Sequence, residues 1–257
     1  YEAPMLHWPD SMFTYVEKNA LLMPNDAFGQ HLATSYRFDD MVDGHIIMEE
    51  AAKYYANILW PLSTLVVRKI EELVKQNLSI NVIAPSHGII WRKDPMKIVQ
   101  AYLRWAKGES EKRVLIVYDT MWGSTEKMAH AILDGVRSEG VDVKLFRLPV
   151  SDKSDIIAEL LESKGLLLGS STINNGMLPT IGPFLTDLKG LRPKNKVTAT
   201  FGSYGWGGGS IRNIEAILKD AGISIVMPVV AVNWAPTKEE TEKCFEFGRE
   251  FTEKLLL

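Results

Sequence analysis

Three short segments in the second half of the sequence carry side chains suited to binding a phosphorylated aromatic cofactor. The first, Asp119 to Thr125, combines hydroxyl groups with a glycine where an apolar run gives way to a helical pattern. Backbone N–H groups and hydroxyls at the start of a helix favour an anion such as phosphate. The segment is neither a Walker A loop nor a G-x-G-x-x-G dinucleotide turn. Taken alone, it is equally explained as a helix cap without a ligand.

The other two segments supply a tight turn and an aromatic slot. In "GSSTINNGMLP", two asparagines followed by a glycine favour a turn with positive φ that exposes backbone amides. Alone, this segment is an ordinary loop. In "FGSYGWGGGS", Tyr204 and Trp206 stand among glycines, so the backbone can approach a ligand closely while an aromatic ring stacks on it. Exposed aromatic residues of this kind are poorly explained by packing.

Alternating strand-like and helical patterns predict the scaffold that brings the three segments together. Short apolar runs alternate with amphipathic stretches, which indicates a doubly wound parallel sheet of flavodoxin-like size covered on both faces. Such a sheet binds its ligand at the carboxyl ends of its strands. All three segments follow strand-like runs, so a phosphate cup and an aromatic slot converge there, and together they predict FMN. The strand-like runs are 114–118, 141–146, 165–169, 196–201 and 223–232, and the helical stretches lie near 125–138, 152–163, 180–189, 210–220 and 237–256.

The first half of the sequence is less regular and contains three candidate metal ligands. The charged stretch 107–113 separates it from the flavodoxin-like part. His7, Asp26 and His87 each lie at a predicted strand-to-loop transition, where a metal site is assembled from different elements. Histidine and aspartate without cysteine favour zinc, non-haem iron or manganese. From spacing alone, a surface or hydrogen-bonded role is the more favoured interpretation for each residue.

Other candidate residues have simpler explanations. His45 and Glu49 are one helical turn apart, a spacing common on exposed helix surfaces, so a chelate is the less favoured interpretation. His130 is expected at the surface. Cys244 lies among phenylalanines on an amphipathic helix and is expected to be a small core residue.

Composition excludes several classes of function. The 257 residues carry a net charge of −3 with no basic tract, which argues against nucleic-acid binding. One cysteine excludes an internal disulfide. No apolar run approaches the roughly 20 residues of a membrane span. These features predict a cytoplasmic protein that binds neither nucleic acid nor membranes.

Six motifs, in order along the chain, closely resemble the flavodiiron proteins, also known as A-type flavoproteins. That resemblance implies the C-terminal part of a metallo-β-lactamase-like αββα diiron domain over residues 1–109, followed by a flavodoxin-like FMN domain over residues 110–257. The motifs are "EAPMLHWPDSMFTY", "LMPNDAFGQH", "APSHGIIWRKDP", "YDTMWGSTEKMA", "STINN" and "FGSYGWGGGS".

The resemblance also implies roles for individual residues. His7 and His87 are each expected to ligate one iron, Asp26 to bridge the two irons, and His31 to lie nearby. The family's remaining ligands come from a His-x-Glu-x-Asp-His motif that does not occur here, so the sequence is expected to begin after that motif. The FMN contacts are expected at Thr120, Met121, Trp122, Gly123, Ser124, Thr125, Thr172, Ile173, Asn174, Asn175, Ser203, Tyr204, Gly205, Trp206, Gly207 and Gly208.

The activity implied by the resemblance is reduction of O2 to water, of NO to N2O, or of both, at a non-haem diiron site with FMN as electron relay. The implied donor is rubredoxin or reduced coenzyme F420, and the implied assembly is a head-to-tail homodimer or tetramer. An alternative is an FMN-binding electron carrier without a working metal site. A zinc hydrolase is disfavoured, because it leaves the flavin domain without a role.

Overall fold

The computed structural model describes residues 1–256 and shows two compact units with their boundary between Glu109 and Ser110. The first unit contains a small three-stranded sheet in which β2 lies between an antiparallel β1 and a parallel β3. Its strands are β1 (Thr14–Val16), β2 (Leu21–Met23) and β3 (Val82–Ile83), and its helices are α1 (Gly44–Tyr54), α2 (Ser63–Lys75) and α3 (Pro95–Ala106).

The helical segment between α1 and α2 is interrupted near Pro61. A π-helical turn, Tyr55–Leu59, leads into a 3-10 turn, Trp60–Leu62, before α2 begins. Pro61 lacks the N–H that a continuous helix would use, so the hydrogen-bond pattern changes there. The Tyr55 ring lies 5.0 Å from that of Tyr102, between centroids, within a buried aromatic cluster that includes Trp105.

The second unit is an α/β domain built on a parallel sheet in the order β10-β8-β6-β4-β5. A short β9 pairs with the beginning of β8, and β7 forms a hairpin with the end of β6. This flavodoxin-like architecture confirms the predicted fold class. The strands are β4 (Glu111–Asp119), β5 (Asp142–Arg147), β6 (Ser163–Ile173), β7 (Gly176–Met177), β8 (Val197–Tyr204), β9 (Ser224–Ile225) and β10 (Val230–Asn233).

Five helices accompany this sheet, and two of them pack unusually closely. A Cβ atom added at Gly135 would lie 2.0 Å from the carbonyl oxygen of Phe245, and one at Gly248 would lie 2.2 Å from that of Ile132. These glycines therefore let α4 and α8 approach to backbone contact over the core. The helices are α4 (Ser124–Ser138), α5 (Lys153–Glu162), α6 (Ile181–Leu191), α7 (Ser210–Asp220) and α8 (Lys238–Leu256).

The single strand predicted over 223–232 is wrong. The structure has two short strands there, β9 and β10, separated by a segment that contains Pro228. A proline cannot donate to a sheet, so the apolar run is divided although its composition is that of one strand.

Across residues 1–256, every helix falls short of the combined length and apolar character that crossing a bilayer demands.

Candidate functional site

A cavity of about 480 Å³ opens at the carboxyl ends of β4, β6 and β8. Twelve of the sixteen expected FMN residues line it, so the three predicted loops do come together in the second unit. The cavity wall is formed by Met121, Trp122, Ser124, Ser171, Thr172, Ile173, Asn174, Asn175, Ser203, Tyr204, Gly205, Trp206, Gly207 and Trp234.

Four expected contact residues, Thr120, Gly123, Thr125 and Gly208, are absent from the cavity wall. Thr120 and Thr125 are buried, at 6% and 0% exposure, and hold the first loop in shape. Gly123 has φ +84°, a left-handed conformation that only glycine adopts without strain, and it immediately precedes α4. Its N–H donates to the Thr120 hydroxyl over 3.1 Å. The loop therefore places the first turn of α4, beginning at Ser124, beside the cavity.

Three buried hydroxyl groups connect the strands beneath the cavity. The Thr125 Oγ1 atom lies 2.9 Å from both Ser171 Oγ and Ser203 Oγ, and the two serine oxygens are 3.2 Å apart. These side chains come from α4, β6 and β8, so one small hydrogen-bonded cluster links three elements. Thr125 serves this link rather than pointing its hydroxyl into the cavity.

The second loop is the tight turn that the paired asparagines predict. Asn174 and Asn175 have φ +49° and +58° and connect β6 to β7 as a two-residue hairpin loop. Asparagine tolerates this left-handed region better than most residues. Next to the turn, Thr172 Oγ1 lies 2.9 Å from Ser210 Oγ, which ties the second loop to the third.

The rim and the polar floor of the cavity have the chemistry that FMN requires. Trp122 and Trp206 are 90% and 95% exposed, so flat apolar surface is available at the mouth to cover an aromatic ring. The start of α4 supplies backbone N–H groups for a phosphate. Between the tryptophans at the mouth and the start of α4, polar groups are supplied by the backbone of Asn174, Asn175 and Gly205. The residues present therefore fit FMN.

A fourth segment of the site was missed by sequence reasoning. Trp234 follows β10 directly, lines the cavity, and lies with its ring 4.9 Å from that of Trp206 at an interplanar angle of 77°. The available signal was a tryptophan at the end of the last apolar run, in "VNWAP". The prediction treated that run as a strand and overlooked the residues after it.

In the first unit, the carboxylate of Asp26 lies between two histidines. His7 Nε2 is 3.3 Å from Asp26 Oδ2, and His87 Nε2 is 3.8 Å from Asp26 Oδ1. Asp26 follows β2 and His87 follows β3, as predicted. His7 instead lies in a turn that precedes β1, so its predicted position at the end of a strand is wrong.

The placement of His87 depends on the glycine at position 29. A Cβ atom on Gly29 would lie 2.7 Å from Cε1 of the His87 ring. His31 and Tyr54 surround the same histidine, with ring centroids 4.9 Å from that of His87. Burial, reinforced by the negative charge of Asp26, raises the pKa of the Tyr54 hydroxyl well above its usual value. Tyr54 therefore stays protonated and can donate a hydrogen bond beside the histidines.

These donors suit two metal ions sharing one carboxylate, because each histidine faces a different oxygen of Asp26. Within residues 1–256, no group of three or more His, Cys, Asp or Glu side chains is placed to hold a metal ion. Nitrogen and oxygen donors fit non-haem iron. Three donors leave both coordination shells incomplete. The exposed side chains of His45 and Glu49 lie side by side, with Nδ1 and Oε1 3.3 Å apart.

Comparison with known proteins agrees with this architecture. The Flavodoxin family model matches residues 116–248. The chain belongs to the flavodoxin family. The match runs from within β4 to within α8 and includes all three loops around the cavity, so the flavodoxin family assignment applies to the candidate flavin site.

Similarity extends beyond the flavodoxin family region to the whole sequence. A nitric oxide reductase of Moorella thermoacetica is 58% identical over 255 residues, which are 99% of this chain and 64% of that protein. The rubredoxin oxygen:oxidoreductase of Desulfovibrio gigas superposes with a TM-score of 0.96 at 36% identity, covering 100% of this chain and 64% of that one. The flavodiiron protein of Giardia intestinalis gives 0.93 at 35%, covering 99% and 63%.

The resemblance to flavodiiron proteins is thus confirmed. The chain spans slightly less than two thirds of the length of these three proteins.

Proposed function

We propose that this chain is part of a flavodiiron oxidoreductase that reduces NO, O2 or both, with FMN as the electron relay. The observation that carries the proposal is the presence, in one chain, of a cavity suited to FMN and of an aspartate shared by two histidines. The named functions of the similar proteins, nitric oxide reductase and rubredoxin oxygen:oxidoreductase, support it. Together with the flavodoxin family match, these relatives imply FMN and a non-haem diiron centre as cofactors.

In the second unit, this chain would bind and orient the flavin. Backbone N–H groups at the start of α4, beginning at Ser124, would hold the phosphate where the helix dipole favours negative charge. Trp122 and Trp206 would cover the aromatic ring and exclude water from it. Bound FMN accepts and releases electrons one or two at a time.

In the first unit, His7, Asp26 and His87 would supply donors to two irons, with Asp26 as the shared carboxylate. Iron held by these residues would supply a binding position for a diatomic molecule and electrons for its reduction. Tyr54, kept protonated by its buried position, would hold a proton near His87. His31 would help to orient the His87 ring, which it contacts.

The remaining features follow from the resemblance and stay predictions. We expect electrons from rubredoxin or reduced coenzyme F420, a head-to-tail homodimer or tetramer, and a location in the cytoplasm. The alternative function is that of an FMN-binding electron carrier without a working metal site.

Iron and flavin analysis separates the two candidates, and gas kinetics tests the activity. The proposal expects about two irons per FMN in the intact protein, and fast reoxidation of the reduced protein by NO or O2 in stopped-flow experiments. FMN without iron would favour the electron carrier. Indifference of the iron-loaded, reduced protein to both gases would refute the reductase proposal.

A further inference from the structure

The end of the last strand, β10, and the residue that follows it hold the aromatic loop of the flavin cavity in place through hydrogen bonds. The backbone N–H of Trp234 donates to the Tyr204 carbonyl oxygen over 2.7 Å. The Asn233 side-chain amide donates to the same oxygen over 3.2 Å and to the Gly205 carbonyl oxygen over 2.5 Å. Two successive carbonyl groups of the loop therefore point towards the end of β10.

Those hydrogen bonds fix the direction of the next two N–H groups. The peptide bonds 204–205 and 205–206 are trans, so the N–H of each unit points opposite to its carbonyl. The N–H groups of Gly205 and Trp206 accordingly point away from β10. Within residues 1–256, neither donates to a protein acceptor. Both residues line the cavity, and two unused donors in succession suit a ligand with two neighbouring acceptor atoms.

The ring of Trp234 packs against one side of the same loop. A Cβ atom on Gly205 would lie 2.9 Å from two ring atoms of Trp234, so only glycine permits this contact. The Trp234 ring also meets the Trp206 ring edge-on at 4.9 Å. Trp206 is 95% exposed on a glycine-rich loop, so this contact is its main aromatic support.

Backbone strain at Trp234 indicates that the arrangement is maintained at a cost. Trp234 has φ +61°, in the left-handed region that bulky residues rarely adopt. Glycine would relieve the strain, but it would remove the ring.

We propose that Asn233 and Trp234 are positioning residues of the flavin site, through which two backbone N–H donors and the Trp206 ring are held in place for FMN. The inference rests on the proposed flavin function of this cavity. The hydrogen bonds from Asn233 direct the backbone N–H groups of Gly205 and Trp206 towards the acceptor atoms of the pyrimidine part of the flavin. Trp234 holds Trp206 as one wall of the slot.

Two variants of the 257-residue chain test the two contributions. Asn233→Leu keeps the side-chain size but removes the amide, and Trp234→Gly removes the ring while relieving the positive φ. We expect each to weaken FMN binding roughly tenfold in a fluorescence titration, as loss of a positioned hydrogen bond or aromatic contact does. Trp234→Phe should restore most of the affinity, and Val150→Ala, 79% exposed in the same unit, serves as the control.

The flavin midpoint potential distinguishes positioning from general destabilisation. Reduced flavin carries more negative charge on its pyrimidine part, so misdirected N–H donors should make the two-electron potential of bound FMN more negative in Asn233→Leu. Unchanged affinity and potential in both variants would overturn this inference and leave the proposed function intact. Failure of the unaltered chain to bind FMN would overturn the proposed flavin function itself.

Discussion

Gly209 lies against the carbonyl oxygen of Asn175 so closely that a Cβ atom at position 209 would be 2.0 Å from it. One residue is on the third loop of the flavin cavity and the other is on the second. Their contact, with the nearby Thr172–Ser210 hydrogen bond, makes two separate loops into one surface. The absence of a side chain at one position is therefore a requirement of the site.

Gly209→Ala should separate the second and third loops. Because the added methyl group meets rigid backbone, we expect a loss of about 1–3 kcal/mol in unfolding free energy and weaker FMN binding. Thermal or urea unfolding and a flavin fluorescence titration measure the two effects. Gly182→Ala in α6, where a Cβ atom meets nothing within 4 Å, is the matched control and should be neutral or stabilising. Normal FMN affinity in Gly209→Ala would contradict the prediction.

Gly29→Ala should impair metal binding without replacing a proposed ligand. The new methyl group would meet the His87 ring at 2.7 Å and displace it from Asp26. We expect the intact protein to retain less than half of its iron per FMN, measured by colorimetric iron analysis. Gly44→Ala at the start of α1, with no atom within 4 Å of the new Cβ, should keep its iron. Full iron content in Gly29→Ala would show that the His87 position is not critical.

Asp26→Asn tests the shared carboxylate directly. The amide keeps the size of the side chain but replaces one anionic oxygen by a nitrogen that cannot bridge, so both irons should bind poorly. Iron analysis and the absorbance of the metal centre provide the readouts, with flavin content unchanged. The exposed Glu49→Gln variant supplies a matched loss of one carboxylate elsewhere in the first unit. Equal iron loading of the two variants would exclude Asp26 as a ligand.

Thr125→Val should weaken the hydroxyl cluster beneath the cavity. Valine has nearly the same shape, so the variant removes two hydrogen bonds of 2.9 Å without leaving a void. We expect a cost of about 1–2 kcal/mol in urea unfolding, because Ser171 and Ser203 lose a buried partner. Thr186→Val on α6, where the hydroxyl bonds only its own helix, should cost much less. Similar costs for both variants would argue against a special role for the cluster.

Lys196 should make the stability depend on pH above neutrality. Burial lowers its pKa from 10.5 to about 7, although its ammonium group donates to the carbonyl oxygens of Leu161 and Ser163. Between pH 7 and 10.5 the unfolded chain thus binds more protons than the folded one, so this lysine makes stability rise with pH by at most on the order of 1 kcal/mol per unit. Lys196→Met should remove that rise in urea unfolding, whereas the exposed Lys219→Met should retain it.

Local sequence patterns were sufficient to predict several parts of the candidate site. The turn at Asn174 and Asn175 was predictable, because its left-handed backbone restricts the choice of residues. The apolar runs of the parallel sheet were predictable for a similar reason, since strands covered on both faces have few alternatives. The strand ends then fixed which loops had to meet.

Contacts between distant segments were beyond such prediction. Trp234 lies close to Trp206 only because β10 pairs with β8, and no local pattern encodes that pairing. Thr125 and Ser124 both carry a hydroxyl group, yet packing buries that of Thr125 and directs it to Ser171 and Ser203.

By itself, the sequence determined the flavodoxin-like half, the type of cofactor and the candidate metal donors, because each depends on residue type and order along the chain. Only the tertiary structure decided that Asp26 presents a different oxygen to each of two histidines, and that the end of β10 supports the aromatic loop. Side-chain direction and loop-to-loop contact depend on how separate elements pack, and packing energies are set by atoms distant in the sequence.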